Sequence, residues 1–310
     1  SGGQIDRSKT FRFSFDGHVY TGHPGDTLAS ALLANGVRLM GRSFKYHRPR
    51  GPISAGSEEP NALVQLRSGA RQEPNTRATV AELFDGLEAT SQNAWPSLKL
   101  DAMAVNDRLN TFFTAGFYYK TFMWPRAFWE GLYEPLIRRA AGLGSLSGKH
   151  DEGNYEKAFA FCDLLVVGGG IAGLQAALVA GRAGLRVILL EQTAHWGGRA
   201  PVDGDVIDGK PAQAFVDAAV AELAGMDNVT LKVRTMGAGV YDHGYVLADE
   251  RVADHTPGDG RPKHRLWRIR AGKILTATGA IERPISFAGN DIPGVMLAAS
   301  VRDYVVNWAV

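Results

Sequence analysis

The sequence has few of the residues from which redox and metal sites are usually built. It contains a single cysteine, Cys162, in 310 residues. One thiol cannot form an intrachain disulfide, a tetrathiolate zinc site or an iron–sulfur cluster with four cysteine ligands. Its neighbours Phe161 and Leu164 are apolar, which favours a buried structural cysteine over a redox-active one.

The sequence also lacks a long apolar run and an excess of charge of one sign. Lys and Arg number 34 against 32 Asp and Glu, a net charge of +2. This balance gives no reason to expect nucleic acid or an anionic membrane as a partner. The longest apolar region is broken by glycines and Gln175, which indicates a buried strand and helix rather than a membrane span. The amino-terminal SGGQIDRSKT has no apolar signal core, so we expect a cytoplasmic protein.

What the chain does contain is a glycine-rich turn between an apolar run and a helical pattern. Residues 164–167 predict a buried parallel strand, and Gly168, Gly170 and Gly173 follow with the spacing G-x-G-x-x-G. The first glycine makes the turn, the second lets a pyrophosphate approach the backbone, and the third lets the helix lie close to the strand. The helix N-terminus then offers N–H groups and a partial positive charge to the phosphates.

An acidic residue completes the pattern. A second predicted strand, residues 186–190, ends on Glu191. A carboxylate at this tip can accept hydrogen bonds from an adenosine ribose and would repel a 2′-phosphate, so NAD or FAD is favoured over NADP. A lone G-x-G-x-x-G also occurs in ordinary turns, but here the strands, the helix and the acid agree. We therefore interpret the segment as dinucleotide-binding.

The residues after Glu191 continue a nucleotide-binding fold. The pair Gly197-Gly198 would let the backbone pass close to a diphosphate. Because the chain stops at Val310 inside a further helical pattern, we expect a fragment of a longer protein. The predicted elements are a helix at 211–224, a strand at 229–233, a turn at Gly237 that can face the adenine, an antiparallel hairpin insertion formed by 245–248 and 266–269, and a strand at 273–280 whose small residues Ala277-Thr278-Gly279 approach the cofactor.

The amino-terminal residues predict a small β-grasp domain. Residues 11–20 alternate in polarity around Asp16-Gly17, a strong hairpin signal. Asp26 or Thr27 can then cap a helix that ends near Gly36. Plant-type ferredoxin relatives of this fold carry cluster-binding cysteines in the next loop, but the comparable loop here has none and contains Ser54, Gly56 and Ser57. We predict the β-grasp frame without its metal.

Two further stretches have unusual composition. A basic cluster interleaved with aromatic residues favours a loop that pairs with acidic residues over a dedicated phosphate or polyglutamate site, and the lone histidines show no metal-ligand spacing. Residues 110–144 concentrate aromatics, which predicts packing against the nucleotide domain, against another subunit, or in an ordinary core. The basic cluster comprises Arg42, Lys45, His47, Arg48 and Arg50.

The predicted fold is therefore α/β with two domains. Residues 1–100 form a ferredoxin-like β-grasp domain without a cluster, and residues 101–157 an aromatic-rich connecting segment that ends in a polar linker from residue 145. Residues 158–310 form a Rossmann-type FAD/NAD(P)-binding domain with a β-hairpin insertion, truncated at its carboxyl end.

The chain resembles the amino-terminal portion of the alpha subunit of heterotetrameric sarcosine oxidase. The resemblance runs over nearly the whole sequence and includes DLLVVGGGIAGL and ATGAIERP. Its most specific motifs are KYHRPRG and AGFYYKTFMWP.

The resemblance implies an oxidoreductase that acts on the CH–NH group of its donor. Sarcosine, oxygen and tetrahydrofolate would become glycine, hydrogen peroxide and 5,10-methylenetetrahydrofolate. It implies NAD in this chain, with FAD and a covalent FMN in the partner beta subunit, the FMN near the interface. Gamma and delta subunits would complete the assembly. The folate-binding region of the family is absent from these residues, so folate contacts cannot be assigned.

The resemblance also assigns cofactor-binding residues. Arg199 can neutralise a diphosphate oxygen, or it can form an ordinary surface salt bridge. No nucleophile set is present, so we assign no catalytic residue and no metal ligand. The assigned residues are Gly168, Gly170, Ala172 and Gly173 at the turn, Glu191, Gln192 and Thr193 at the ribose and adenine, and Gly198, Arg199, Gly237 and Thr278 along the rest of the cofactor.

Three alternatives remain open. A related subunit of an opine or hydroxyproline dehydrogenase usually keeps cluster cysteines, which this sequence lacks. A stand-alone FAD-dependent pyridine-nucleotide oxidoreductase would need a cysteine pair or a second G-x-G-x-x-G. A structural module with a vestigial nucleotide site is disfavoured because Gly170, Glu191 and Thr278 are all in place.

Overall fold

The structure, a computed structural model, describes residues 3–120 and 122–310. The chain divides into two compact units. The first contains the residues up to Glu152 together with Glu282–Val310, and the second is Gly153–Ile281. The sequence interpretation had placed all of 158–310 in one domain, whereas the last 29 residues pack with the first unit.

The first unit contains a sheet with the strand order β2-β1-β7-β5-β6 and a helix, α1, packed on it, which is a β-grasp arrangement. β1 pairs with β2 in antiparallel fashion and with β7 in parallel. The strands are β1 Phe11–Phe15, β2 His18–Gly22, β3 Gly41–Arg42, β4 Pro49–Arg50, β5 Leu63–Leu66, β6 Glu73–Arg77 and β7 Leu87–Ser91; the helices are α1 Leu28–Ala34, α2 Val105–Arg108, α3 Phe117–Lys120 and α4 Glu134–Ala140, with 3-10 turns at Gly69–Arg71 and Ala102–Ala104 and a π-helical turn at Trp129–Tyr133.

The predicted hairpin and the helix that follows it are confirmed. Asp16 and Gly17 both have positive φ, 48° and 78°, as a two-residue turn matched to strand twist requires. Thr27 caps α1, since its hydroxyl accepts from the Ser30 N–H and the Ser30 hydroxyl accepts from the Thr27 N–H. The buried face of α1, which includes Leu28 and Leu32, then packs with the inner residues of β1.

The carboxyl-terminal segment belongs to the first unit because its last helix, α8 (Ala298–Trp308), enters that core. Tyr304 is only 3% exposed, and its hydroxyl donates to the Ser54 carbonyl at 3.0 Å. Asp291 forms an ion pair of 2.6 Å with Arg50. The sequence predicted a helical pattern running up to Val310, but nothing in a local pattern says which domain a helix will cover.

The basic cluster pairs with acidic residues, as the favoured interpretation predicted. Two of its five residues are exceptions. The buried guanidinium of Arg42 donates to backbone carbonyls, among them those of His47 and Leu98, and the Lys45 Nζ lies 4.9 Å from the centre of the Tyr46 ring. His47 Nδ1 lies 2.6 Å from a carboxylate oxygen of Asp101, and the ion pairs are Arg48–Asp107 at 2.7 Å and Arg50–Asp291 at 2.6 Å.

The aromatic-rich stretch lies in the first unit and remains largely on its surface. Phe113 and Phe117 form an edge-to-face contact with centroids 5.2 Å apart. Phe112 and Trp124 are nevertheless 71% and 82% exposed. Thr121 and the Tyr119 side chain lie outside the described part. The described residues of this stretch therefore leave apolar surface uncovered.

The second unit contains a sheet with the strand order β12-β9-β8-β15-β14-β13. Its β12, β9, β8 and β15 run parallel, and the antiparallel hairpin β13–β14 extends the sheet beyond β15. Helices α5 and α7 pack together on one face. The elements are β8 Tyr155–Val167, α5 Ile171–Arg182, β9 Val187–Leu190, α6 Ala200–Asp203, β10 Val206–Ile207, β11 Lys210–Pro211, α7 Ala212–Ala224, β12 Val229–Lys232, β13 Thr235–Tyr241, β14 Tyr245–Arg251 and β15 His264–Thr276, with a 3-10 turn at Asp242–Gly244.

The sequence interpretation of this unit needs two corrections. β8 begins at Tyr155, inside the predicted linker, because its first half pairs with β15 from the His264–Tyr155 register onward. Gly237 lies within β13 rather than at a turn, and an irregularity in the pairing with β14 occurs between Gly237 and Gly239. The Rossmann-type strands and the antiparallel hairpin insertion are confirmed.

Cys162 is buried in β8, and its environment predicts an unreactive thiol. It is 4% exposed, and burial, helped by the nearby Asp163 charge, raises its pKa from 9.0 to about 11. At pH 8 the reactive thiolate should therefore be about 100-fold scarcer than for an ordinary cysteine. We expect no reaction of the folded protein with dithionitrobenzoate within minutes, and one equivalent after denaturation. Rapid labelling of the native chain would contradict this placement.

Candidate dinucleotide-binding site

The ends of three parallel strands bring the predicted site residues together. Val167 is in register with Leu190 of β9 and with Thr276 of β15. The residues that follow these strands therefore lie at one edge of the sheet, among them Gly168 and Glu191. The carboxyl edge of a parallel sheet is where α/β proteins bind their ligands.

The three glycines of the turn have different surroundings. Gly168 has φ +109°, and a methyl group on it would overlap the Ala277 carbonyl oxygen. A methyl group on Gly173 would overlap the Gly168 carbonyl oxygen. Around Gly170, by contrast, no described atom lies within 4 Å of an added Cβ. The turn is thus tightly packed at its ends and open at its middle glycine.

The open position coincides with the start of a helix. Gly170 is the N-cap residue of the 12-residue α5, and among the described residues no side chain caps it. The first-turn N–H groups of an α-helix have no intrahelical acceptor, and the helix dipole makes this end partly positive. Space, donors and positive potential therefore coincide at Gly170, as an anionic diphosphate requires.

Glu191 is held at the tip of β9 by the chain itself. It is 7% exposed. One carboxylate oxygen accepts from the Gly169 N–H at 2.8 Å, and the other accepts from the Thr193 N–H and hydroxyl at 2.8 and 2.9 Å. A carboxylate offers about four acceptor positions, so the contacts within the described part leave capacity for a hydroxyl donor.

The remaining predicted residues divide into those that border the turn and those that do not. Gly198 borders it, because a Cβ on Gly198 would lie 3.2 Å from the Gly170 Cα, and Thr278 borders it through its N–H beside Gly168. Gly237 lies against the Val167 side chain. The other three residues are placed differently: Ala172 is exposed on the first turn of α5, the Gln192 carbonyl accepts from Arg251, and Arg199 pairs with Asp203 at 2.8 Å.

Trp196 contacts the turn and was missed by the sequence analysis, whereas Gly197, which also contacts the turn, had been noted for close backbone approach. A methyl group on Gly169 would overlap the Trp196 ring, so the indole covers this part of the turn. The Gly197 N–H donates to the Gly169 carbonyl at 2.8 Å, and Gly197 pairs with Gly170 in a parallel bridge. The sequence WGGR at residues 196–199 contained the signal for this contact. Its two glycines indicated close backbone approach, but the tryptophan before them was not considered.

Within residues 3–120 and 122–310, no three His, Cys, Asp or Glu side chains are grouped so that they could hold a metal ion. Over the same ranges, no helix combines the length and apolar character that crossing a membrane requires.

Comparisons with known proteins support both halves of the fold. The family model described as a 2Fe-2S iron-sulfur cluster binding domain matches residues 8–94, and that described as an FAD dependent oxidoreductase matches residues 163–226. The crystal structure of L-proline dehydrogenase from P. horikoshii superimposes with a TM-score of 0.62 at 21% identity, over 98% of this chain and 48% of that one. The predicted fold class is confirmed.

Curated relatives match the chain along nearly its whole length. Over 99% of this chain, the sequence is 56% identical to the sarcosine oxidase subunit alpha of Rhizobium meliloti (strain 1021) and 38% identical to that of Corynebacterium sp. (strain P-1). The chain is a relative of sarcosine oxidase alpha subunits. The resemblance inferred from the sequence motifs is thereby confirmed. The chain spans about a third of the length of these relatives, 31% and 28% respectively.

Gly170 faces open space whereas Gly173 is tightly packed, so alanine substitutions at the two positions should have different effects. Gly170→Ala should fold normally, because its methyl group enters open space, but should weaken dinucleotide binding at least about tenfold by filling the position of the diphosphate. Gly173→Ala should lower the melting temperature by about 10 °C or prevent folding, because its methyl group meets a backbone carbonyl. Calorimetric melting and titration with NAD measure the two effects. Equal effects of the two variants on melting would refute the packing difference.

Proposed function

We propose that this chain is the NAD-binding segment of the alpha subunit of a multi-subunit sarcosine oxidase. The observation that carries the proposal is the 56% identity to such a subunit along 99% of the chain. The proposed reaction converts sarcosine, oxygen and tetrahydrofolate to glycine, hydrogen peroxide and 5,10-methylenetetrahydrofolate. The chain's part in it is to bind a nucleotide and to support the assembly, since no nucleophile or metal cluster is assigned within its described residues.

The surroundings of Gly170 support a dinucleotide as the ligand. The diphosphate would lie over Gly170 against the first-turn N–H groups of α5, with Gly198 leaving room on the other side. Glu191 would accept from the adenosine ribose, and its charge disfavours a 2′-phosphate. The bound NAD supplies hydride-transfer capacity if it turns over. The residues described here bind and orient it.

The proposed assembly places the other cofactors outside this chain. FAD and a covalent FMN would belong to the beta subunit, with the FMN near its border with alpha, and gamma and delta subunits would complete the heterotetramer. Tetrahydrofolate would bind through a region outside these residues. The exposed aromatic surface that includes Phe112 and Trp124 supports the expectation of further contacts.

A stand-alone FAD-dependent pyridine-nucleotide oxidoreductase is the second candidate. The match of residues 163–226 to the FAD dependent oxidoreductase model favours it, because this fold accommodates either dinucleotide. It would also need an electron acceptor within reach of the flavin. Cys162 does not fill that role, because it is a single, buried thiol with a raised pKa.

The identity of the released nucleotide separates the two candidates. After denaturation of the purified protein, we expect the nucleotide bound by this chain to be NAD, present at about one equivalent and absorbing near the adenine maximum without a flavin band. Chromatography of the supernatant against NAD and FAD standards makes the measurement. Stoichiometric FAD from a preparation that contains only this chain would replace the first candidate with the second.

Substitution of Glu191 tests the proposed ribose contact. In Glu191→Gln one oxygen becomes an amide that cannot accept, so either the Gly169 or the Thr193 contact is lost and the negative charge disappears. We expect NAD affinity to fall about 10- to 100-fold, the range for one to two charge-assisted hydrogen bonds. Glu222→Gln is the matched control, because Glu222 pairs with Arg182 on the surface. Unchanged NAD affinity in Glu191→Gln would remove Glu191 from the site.

A further inference from the structure

The match of residues 8–94 to an iron–sulfur domain implies a cofactor that these residues do not fit. A two-iron, two-sulfur cluster of this type is held by four cysteine thiolates. Residues 8–94 contain no cysteine, and the single cysteine of the chain, Cys162, lies in the second unit. The loop that would carry the cluster must therefore be organised in another way.

A buried carboxylate lies at the centre of that loop. Glu59 is 0% exposed. One of its oxygens accepts from the N–H groups of Ile53 and Ser54, both at 2.8 Å, and from the Ser54 hydroxyl at 3.0 Å. The other accepts from the N–H groups of Asn61 and Ala62 at 2.7 and 3.1 Å. Five donors converge on one side chain.

This convergence is the arrangement that backbone N–H groups make around an anion. Concave groups of N–H donors hold phosphates and iron–sulfur clusters in many proteins. Here the anion is covalently part of the loop. A buried carboxylate without such donors would be strongly unfavourable, and the four N–H groups without it would be buried and unpaired. The shape of residues 53–62 therefore depends on Glu59.

The opposite side of the same loop holds the carboxyl-terminal segment. Ile53 and Ser54, whose N–H groups point to Glu59, offer their carbonyl oxygens to the Leu297 N–H at 2.9 Å and to the Tyr304 hydroxyl at 3.0 Å. Burial, followed by the negative charge of Glu59, raises the pKa of Tyr304, so its hydroxyl remains a donor. Because Glu59 holds the backbone of Ile53 and Ser54, it also fixes the positions of their two carbonyl oxygens.

We propose that the Glu59 carboxylate takes the place of the iron–sulfur cluster as the anion that organises this loop, and that the loop so formed is an anchor for residues 297–304. Glu59 is a positioning residue: it acts on the carboxyl-terminal segment through the backbone of Ile53 and Ser54. In this chain the β-grasp domain holds the carboxyl-terminal segment 297–304 in place and does not carry a metal cluster.

The test replaces Glu59 with glutamine in the full polypeptide. The amide nitrogen of Glu59→Gln must face either Ile53 and Ser54 or Asn61 and Ala62, so at least two N–H groups lose their acceptor. Glu58→Gln is the matched control, because the neighbouring Glu58 is exposed. We expect a melting temperature about 10 °C lower for Glu59→Gln and no change for Glu58→Gln.

Hydrogen exchange at Leu297 separates anchoring from general destabilisation. In Glu59→Gln the Leu297 amide should exchange at least about tenfold faster under native conditions, while amides in the second-unit strand β9 keep their rates. Leu297 exchange equal to that of Glu58→Gln would overturn the proposal. If Glu59→Gln does not fold, Ser54→Ala removes only the hydroxyl donor, and it should accelerate Leu297 exchange in the same direction; an unchanged rate would again overturn it.

Reconstitution with iron and sulfide tests whether this loop can bind an iron–sulfur cluster. After anaerobic incubation of the wild-type protein with ferrous iron and sulfide, followed by desalting, we expect no stoichiometric iron and no cluster absorbance. Two irons retained per chain would overturn the assignment of the loop to Glu59.

Discussion

The close approach of Gly173 to the Gly168 carbonyl oxygen is the contact on which the candidate dinucleotide-binding site depends. It sets α5 directly against the end of β8, so the first turn of the helix points over the strand tips. A side chain at residue 173 would push the helix outward and move the N-cap, Gly170, from the open space it faces. Glu191 then ties the turn to the second strand through the Gly169 N–H. Backbone geometry, rather than any reactive side chain, creates this edge.

The two units use buried carboxylates in contrasting ways. Glu59 is enclosed and surrounded by five donors of its own loop, which leaves it a structural role. Glu191 receives fewer donors and lies beside a turn with open space at Gly170. The number of internal donors and the presence of adjacent space thus distinguish an anchoring carboxylate from one that can face a ligand. The hydrogen bonds of both carboxylates follow the same principle, which is that a buried charge must be compensated by hydrogen-bond donors.

Local patterns predicted those parts of the structure that local interactions determine. The turn at Asp16-Gly17, the cap at Thr27 and the glycine spacing around Gly170 each follow from short-range sterics or hydrogen bonding, and the structure contains all of them. The assignment of the dinucleotide-binding residues rested on family resemblance, and the geometry brings most but not all of them to the turn. Arg199, whose partner is Asp203, had two interpretations that sequence alone could not separate.

The features that could not be predicted depend on how the chain folds back on itself, and most of them involve residues far apart in the chain. The role of Glu59 depends on how a loop closes on itself, and the docking of Tyr304 joins residues 250 positions apart. The early start of β8 depends on pairing with β15, a strand more than 100 residues later. Trp196 became part of the turn only through the fold of the loop after β9. Contacts between such distant residues leave no periodic pattern that a single sequence could reveal.

The length of β15 has a practical consequence for labelling experiments. This strand of 13 residues starts just after the exposed hairpin tip at residues 256–261 and ends at Thr276, beside the candidate dinucleotide-binding site. Its length is roughly 40 Å at about 3.3 Å per residue. A fluorophore or an affinity peptide inserted at the tip would be held at the far end of a strand that pairs with β8 along most of its length. The tip is thus a natural attachment point for distance measurements or for immobilising the protein without disturbing the glycine-rich turn.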